Sequence, residues 1–516
     1  MIGAPFLIAM TVAASPLLAQ EPLSAIDWLG REGAAPAIAP PATGSRAILP
    51  PREEPPVAID ARAPTVAEGP IGETEPAAAG LLPMSMTGLP RSLWSRSDPE
   101  RLTRLIAEVD PAVPALSALL NTLMLAEADP PEGSRDFLAT RVRRLVEVGA
   151  LDAASALLDR AGPAERPLFE TWFDVALLTG RADDPCKALD ENPRLTEKVA
   201  PRVFCAARNG DWPRAALAFE TGRALGDLTG RDADLLERFL SPEAAEELPS
   251  LPPPLSPTPL QFVLYSAVGE PLPTTALPRA YATSHLSGDF GWKAQIEAVE
   301  RLVRAGAVSE NRFLGIYTEQ EPAASGGVWD RVAALQDFEA ALAAGETAEI
   351  EETLRAVWPL MLSNDLAVPF ARLFGQELAE LDLEGRAGRI AAEAALLSDG
   401  YEDAAREIEA EGGVLGFLSA IARGEAPQAT PSVPHAQPIA QAFAENAAPP
   451  DDLAEMARSG RLGEAILRAM TLFGSGAAGN AGDLTDALAT FRALGLEDTA
   501  RRAALQLAIL TEEPLR

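Results

Sequence analysis

From Ser97 onward, apolar residues recur at spacings of three and four. Leu102, Leu105, Ile106 and Val109 follow Asp98-Pro99-Glu100, which has the form of a helix start. An aspartate accepts free amide hydrogens there, proline fits the first turn, and an acid suits the positive helix end. Similar patterns predict helices over about 112–127 and 135–148, then near 290–305, 329–344, 347–358, 376–397 and 401–411. Sustained alternation with β-branched residues, the signature of strands, is absent from the sequence. Ala and Leu dominate the apolar count, and both favour helices. The pattern predicts an all-α protein.

The helices are joined in a recurrent way. Gly149 is followed five residues later by Ala154 and nine later by Leu158. Gly210 leads to Ala215 and Phe219, Gly460 to Ala465 and Ala469, and Gly495 to Ala500 and Ala504. Gly400 leads to Ala405 but then to Glu409, while Gly180 and Gly345 have Pro185 and Ile350 at the alanine place. The expected role of the glycine is to end one helix in a left-handed conformation. The alanine, one turn into the next helix, lets the two backbones approach.

Gly210-Asp211-Trp212-Pro213-Arg214-Ala215-Ala216-Leu217-Ala218-Phe219 resembles a unit of the tetratricopeptide-repeat family, a helix–turn–helix of about 34 residues. The chain also looks like exported helical-repeat proteins of alphaproteobacteria with no assigned activity. The first resemblance implies a right-handed superhelical stack of helix–turn–helix repeats, an α-solenoid. The family's Trp, Leu-Gly and Tyr signature in the first helix is missing, and the spacings vary, so the expectation is a degenerate array.

The N-terminal fifth is different. Met1 to Ala19 holds no charge and an apolar run from Phe6 to Ala19, followed by Gln20 and Glu21. It reads as a cleaved signal peptide, although the usual basic start is missing; an uncleaved inner-membrane anchor is the alternative. Residues 20–95 carry thirteen prolines among Ala, Glu and Gly, which predicts a disordered arm. Within it, Leu23, Ile26, Trp28 and Leu29 form an apolar island that could dock on a partner or on the protein's own body. Proline clusters at 249–259 and 424–438 divide the remainder. The expected organisation is therefore 1–19 signal, 20–95 arm, and helical blocks at 96–248, 249–424 and 425–516.

Charge and rare residues then narrow the function. The chain has 516 residues and a formal charge of −32. The arm holds nine acids and five bases, which leaves −28 to residues 96–516. Such a surface disfavours nucleic acid and favours a basic partner or plain solubility. Two histidines, His285 and His435, and two cysteines give little material for a metal centre, and a Cys₂His₂ set would match no known spacing. Cys186 and Cys205 fall in consecutive predicted helices around Asn192-Pro193, which favours a disulfide in an oxidising compartment. Ser284-His285 has no Gly-x-Ser-x-Gly elbow, and a glycine-rich phosphate loop is absent. The sequence thus predicts no catalytic residue, no cofactor and no metal.

The resulting expectation is a non-catalytic periplasmic scaffold that binds an envelope protein or peptide, without an integral membrane span once the signal is removed. An assembly accessory of an envelope machine is the first alternative, and a cell-wall hydrolase the second. The oligomeric state and the partner's identity do not follow from the sequence.

Overall fold

In the computed structural model, which describes residues 76–134, 136–245, 249–287, 290–408 and 412–511, the Asp98 carboxylate accepts the N–H of Arg101 at 2.8 Å and starts the helix Pro99–Glu108. The same chemistry recurs along the chain. Asp211 accepts the N–H of Arg214 at the start of Trp212–Leu225. Thr258 and Gln261 form a reciprocal capping box at Pro259–Ala267. The proline run that begins at Pro249 thus ends at the first position of a helix, where the missing N–H costs nothing.

Twenty-five α-helices and no β-strand are present among the described residues. Helices adjacent in sequence pack in pairs, as in Val199–Arg208 on Trp212–Leu225 and Leu462–Ala477 on Ala481–Ala493. Six of the seven joint glycines, at 149, 180, 210, 345, 460 and 495, have φ between 75° and 87°. Ala154, Ala215, Ala465 and Ala500 are fully buried one turn beyond them. Gly400 differs. Its φ is −87°, and its carbonyl accepts the N–H groups of Asp403 and Ala404 as the next helix begins. The reversal before it is made by Ser398, which is extended and whose hydroxyl accepts the Gly400 N–H at 3.1 Å. A side-chain turn there replaces the left-handed glycine, although Ala405 is still fully buried.

Two sequence expectations are corrected. The helix anticipated over 376–397 is two helices, Ala367–Ala379 and Gly385–Leu397. Glu384 is extended and Gly385 has φ 60°, so the chain turns where apolar spacing alone would run on. The arm also ends earlier than proline density suggests. Residues 76–95 carry short helical turns at Pro76–Ala78, Met84–Thr87 and Arg91–Leu93. Leu93 and Trp94 are fully buried. Pro76 opens the first of these turns and Pro83 and Pro90 directly precede the others, where the missing N–H breaks nothing. The N–H groups of Leu81 and Leu82 donate to Leu125 O, and Glu127 N–H donates to Leu82 O, stitching this strap to the end of the helix Pro114–Leu125.

A buried arginine holds the strap. Arg141, in Phe137–Val148, has no exposed surface, and its guanidinium donates to Met124 O, Ala79 O and Ala126 O, each at 2.8 Å. Burial pushes its pKa down to about 10.

The first helices of the body also meet the last. Pro99–Glu108 packs on Leu462–Ala477, and Pro114–Leu125 packs on Glu497–Leu510. Gly463 lies so close to the Trp94 ring that a Cβ there would stand 2.3 Å from it. The Gln506 side chain accepts the Ala115 N–H at 2.7 Å. One hydrophobic core runs from Leu89 to Ile509 through both proline-rich stretches.

Candidate functional site

The helix Arg166–Leu178 ends at a joint glycine, Gly180, and the proline crossing at 249–259 returns the chain so that Pro259–Ala267 packs against it. The 3₁₀ turn Arg279–Leu286 packs on the same helix. Between them opens a cleft of about 540 Å³ where helices from either side of the crossing meet. Sites for small ligands and peptides concentrate at such meetings. Its walls are Leu177, Leu178, Thr179 and Gly180 from the helix end, Phe262, Val263, Ser266 and Ala267 from the second helix, and Thr283, Ser284, Ser287 and Phe290 around the 3₁₀ turn. Asp152 and Arg312 complete it.

The hydroxyls are largely committed as donors. Thr179 Oγ1 donates to Val175 O at 2.9 Å, Ser284 Oγ to Tyr281 O at 2.7 Å and Ser287 Oγ to Ser284 O at 3.0 Å. What they offer the cleft is lone pairs, that is, acceptors. Thr283 Oγ1 is buried and without a partner among the described residues. Asp152 is exposed and makes no ion pair there. The carboxyl end of Arg166–Leu178 adds partial negative charge. Arg312 supplies the cation, with one contact to Leu286 O at 3.5 Å. The cleft therefore combines hydroxyl groups, the Arg312 cation and two phenyl rings.

Ser284 and His285 do not act together. The Ser284 hydroxyl goes to Tyr281 O, while His285 Nδ1 bonds Thr274 Oγ1 at 3.1 Å and its ring packs 4.3 Å from Phe290. Burial lowers the His285 pKa, which favours the neutral ring. Cys186 and Cys205 are joined in a disulfide across Asp183–Glu191 and Val199–Arg208, with Cα atoms 4.8 Å apart. Bonded to each other, they leave no Cys₂His₂ set. Among the described residues no three His, Cys, Asp or Glu side chains gather as a metal site requires, and no helix is long and apolar enough to cross a membrane. Leu23, Ile26, Trp28 and Leu29 lie outside the described residues, as does the 1–19 segment.

The chain matches no protein-family model, no curated protein and no solved structure. Its chemistry has to be read from its own side chains.

Buried ionic groups mark structure elsewhere. Glu300 is buried and receives Arg331 at 2.9 Å through two nitrogens, Arg304 at 2.9 Å and the Tyr317 hydroxyl at 2.5 Å. Glu464, also buried, takes Arg468 at 3.0 Å with Arg101 and Arg461 at 3.7 Å. Sequence reasoning missed both, along with Arg141 and the cleft. Arg141 had a signal. It stands four residues after Phe137 and four before Leu145, on the core face of its helix. The cleft had none, since its residues come from separate elements between Asp152 and Arg312.

Proposed function

We propose that the protein is a non-catalytic, exported scaffold that holds a segment of another protein, with its helix pairs stacked in tetratricopeptide-like fashion. The observation that carries this reading is the cleft between Arg166–Leu178 and Pro259–Ala267. Its hydroxyl lone pairs suit the amide hydrogens of an extended peptide, and Arg312 suits its carbonyls. Asp152 and the helix carboxyl end favour a basic side chain, in keeping with the −28 carried by residues 96–516. The disulfide Cys186–Cys205 agrees with an oxidising compartment.

The test is photo-crosslinking in the producing cells, with a photoreactive residue replacing Ser266 in the cleft or Glu352 on the solvated surface. A defined protein attached at Ser266 and absent at Glu352 supports the reading. Capture of nothing at Ser266, or of the same proteins at both positions, overturns it.

A further inference from the structure

The disulfide Cys186–Cys205 fastens Asp183–Glu191 to Val199–Arg208, and Trp212–Leu225 packs on the second of these helices. At this junction the sequence places small side chains. Ala206 and Ala218, together with Leu189 and the sulfur bridge, line a pocket of about 160 Å³. Packed protein interiors rarely leave voids larger than a water molecule. This space is close to the roughly 150 Å³ of apolar cavities that accept benzene. It has room for one ring.

Asp190, Arg202 and Arg214 also line the pocket, and they are unequally satisfied. Arg214 is neutralised by Asp190 at 2.5 Å and Asp211 at 3.4 Å. Arg202 meets no carboxylate among the described residues. Its Nη2 donates to Pro193 O at 3.0 Å and to Thr196 O, which fixes the side chain against the turn Pro193–Leu195. Its Nε–H is buried and finds no acceptor among the described residues. A buried donor without an acceptor is unfavourable, more so on a charged group, and an anion accepting from it removes that cost. In a body that carries −28, the uncompensated charge at this pocket is positive. The rest of the wall is apolar, so a bare inorganic anion would lose its water there and gain little from the alanines and the leucine.

We propose that this pocket binds a small aromatic carboxylate of the benzoate class. The ring fills the space between Leu189, Ala206 and Ala218, with the polarizable sulfur bridge as one wall, and the carboxylate accepts the Arg202 Nε–H. The pocket shares no residue with the cleft between Arg166–Leu178 and Pro259–Ala267, so either assignment can fail without the other.

Ligand-observed NMR titration of the full chain at about 0.15 M salt, with benzoate, benzamide and acetate, tests this. Benzoate binds saturably with a Kd below about 1 mM. Benzamide keeps the shape without the charge, and acetate keeps the charge without the ring; each binds at least about ten-fold more weakly. Ala218→Leu fills the pocket from a half-buried position and abolishes benzoate binding, while circular dichroism and melting stay those of the parent. Arg202→Met weakens benzoate by about ten-fold and leaves benzamide unchanged, a difference that a slackened turn alone would not produce. Failure of benzoate to saturate by about 10 mM overturns the proposal. So do equal binding of benzoate and benzamide, benzoate binding indifferent to Ala218→Leu, and an equal loss of both ligands in Arg202→Met.

Discussion

Replacing Arg141 by methionine removes a charge that no carboxylate among the described residues neutralises and orphans three carbonyls at once. Hydrogen bonds from a charged donor contribute about 1.5–3 kcal/mol each, so three represent roughly 5–9 kcal/mol. Against this stands the cost of burying the guanidinium. Burial brings its pKa down to about 10, a cost of about 3 kcal/mol at 1.36 kcal/mol per unit. Arg141→Met relieves that cost and forfeits the bonds, for a net loss of roughly 2–6 kcal/mol. The loss falls first on the strap, because Ala79 is held through Arg141 Nη1. Two measurements check this in the full chain: the urea midpoint, and the rate of proteolytic cutting between residues 76 and 90. Arg141→Lys keeps the charge without the three-pronged fork and falls between the two. A methionine variant within about 0.5 kcal/mol of the parent, the spread of ordinary surface substitutions, with unchanged cutting, would refute the reasoning.

Three further outcomes follow from the geometry. Burial pushes the Asp174 carboxyl up to about 6, opposed by Lys198 and aided by Glu170. The folded state therefore holds this proton more tightly than the unfolded chain, and the stability so contributed is present below about pH 4 and lost as pH rises through 6. The advantage of Asp174→Asn over the parent should grow by about 2.4 kcal/mol between pH 4 and 7.5 in paired denaturation curves, and a constant gap contradicts it. Replacing Cys186 and Cys205 together by alanine should cost about 3 kcal/mol, since the bond closes a loop of about twenty residues; denatured, unreduced parent protein should show no reactive thiol. Gly463→Ala should unseat Trp94, red-shift the tryptophan emission and cost about 1–3 kcal/mol of overpacking; an unchanged spectrum would contradict the contact.

Much of the helical pattern can be read in the sequence because its signals are local. The Asp98 cap, the joint at Gly210 with Ala215, and the two cysteines in consecutive helices each involve residues within one or two turns or one short connection. What failed depended on distant partners or on backbone detail. Proline density at 76–95 says that no long helix forms, but not that Arg141, 62 residues beyond Ala79, fixes the strap. Gly385 looks ordinary among apolar residues at helical spacing until its φ is known. The cleft was least legible. Asp152, Thr179, Ser266 and Arg312 are unremarkable polar residues individually, and only the crossing at 249–259 gathers them.

The contact between Ala115 and Gln506 spans 391 residues. Loop-closure entropy makes such a contact about 2 kcal/mol dearer than one across a single 34-residue unit. The order of assembly is thereby constrained. Helix pairs can form as the chain is made, but the surfaces of Pro99–Glu108 and Pro114–Leu125 that rest on Leu462–Ala477 and Glu497–Leu510 stay uncovered until those late helices exist. A chain interrupted before Glu497 would keep Leu116, Leu119 and neighbouring apolar residues open to wrong partners. The seam makes completion of the polypeptide a condition for burying its beginning, so quality control of an unfinished chain would recognise its N-terminal helices rather than the broken end.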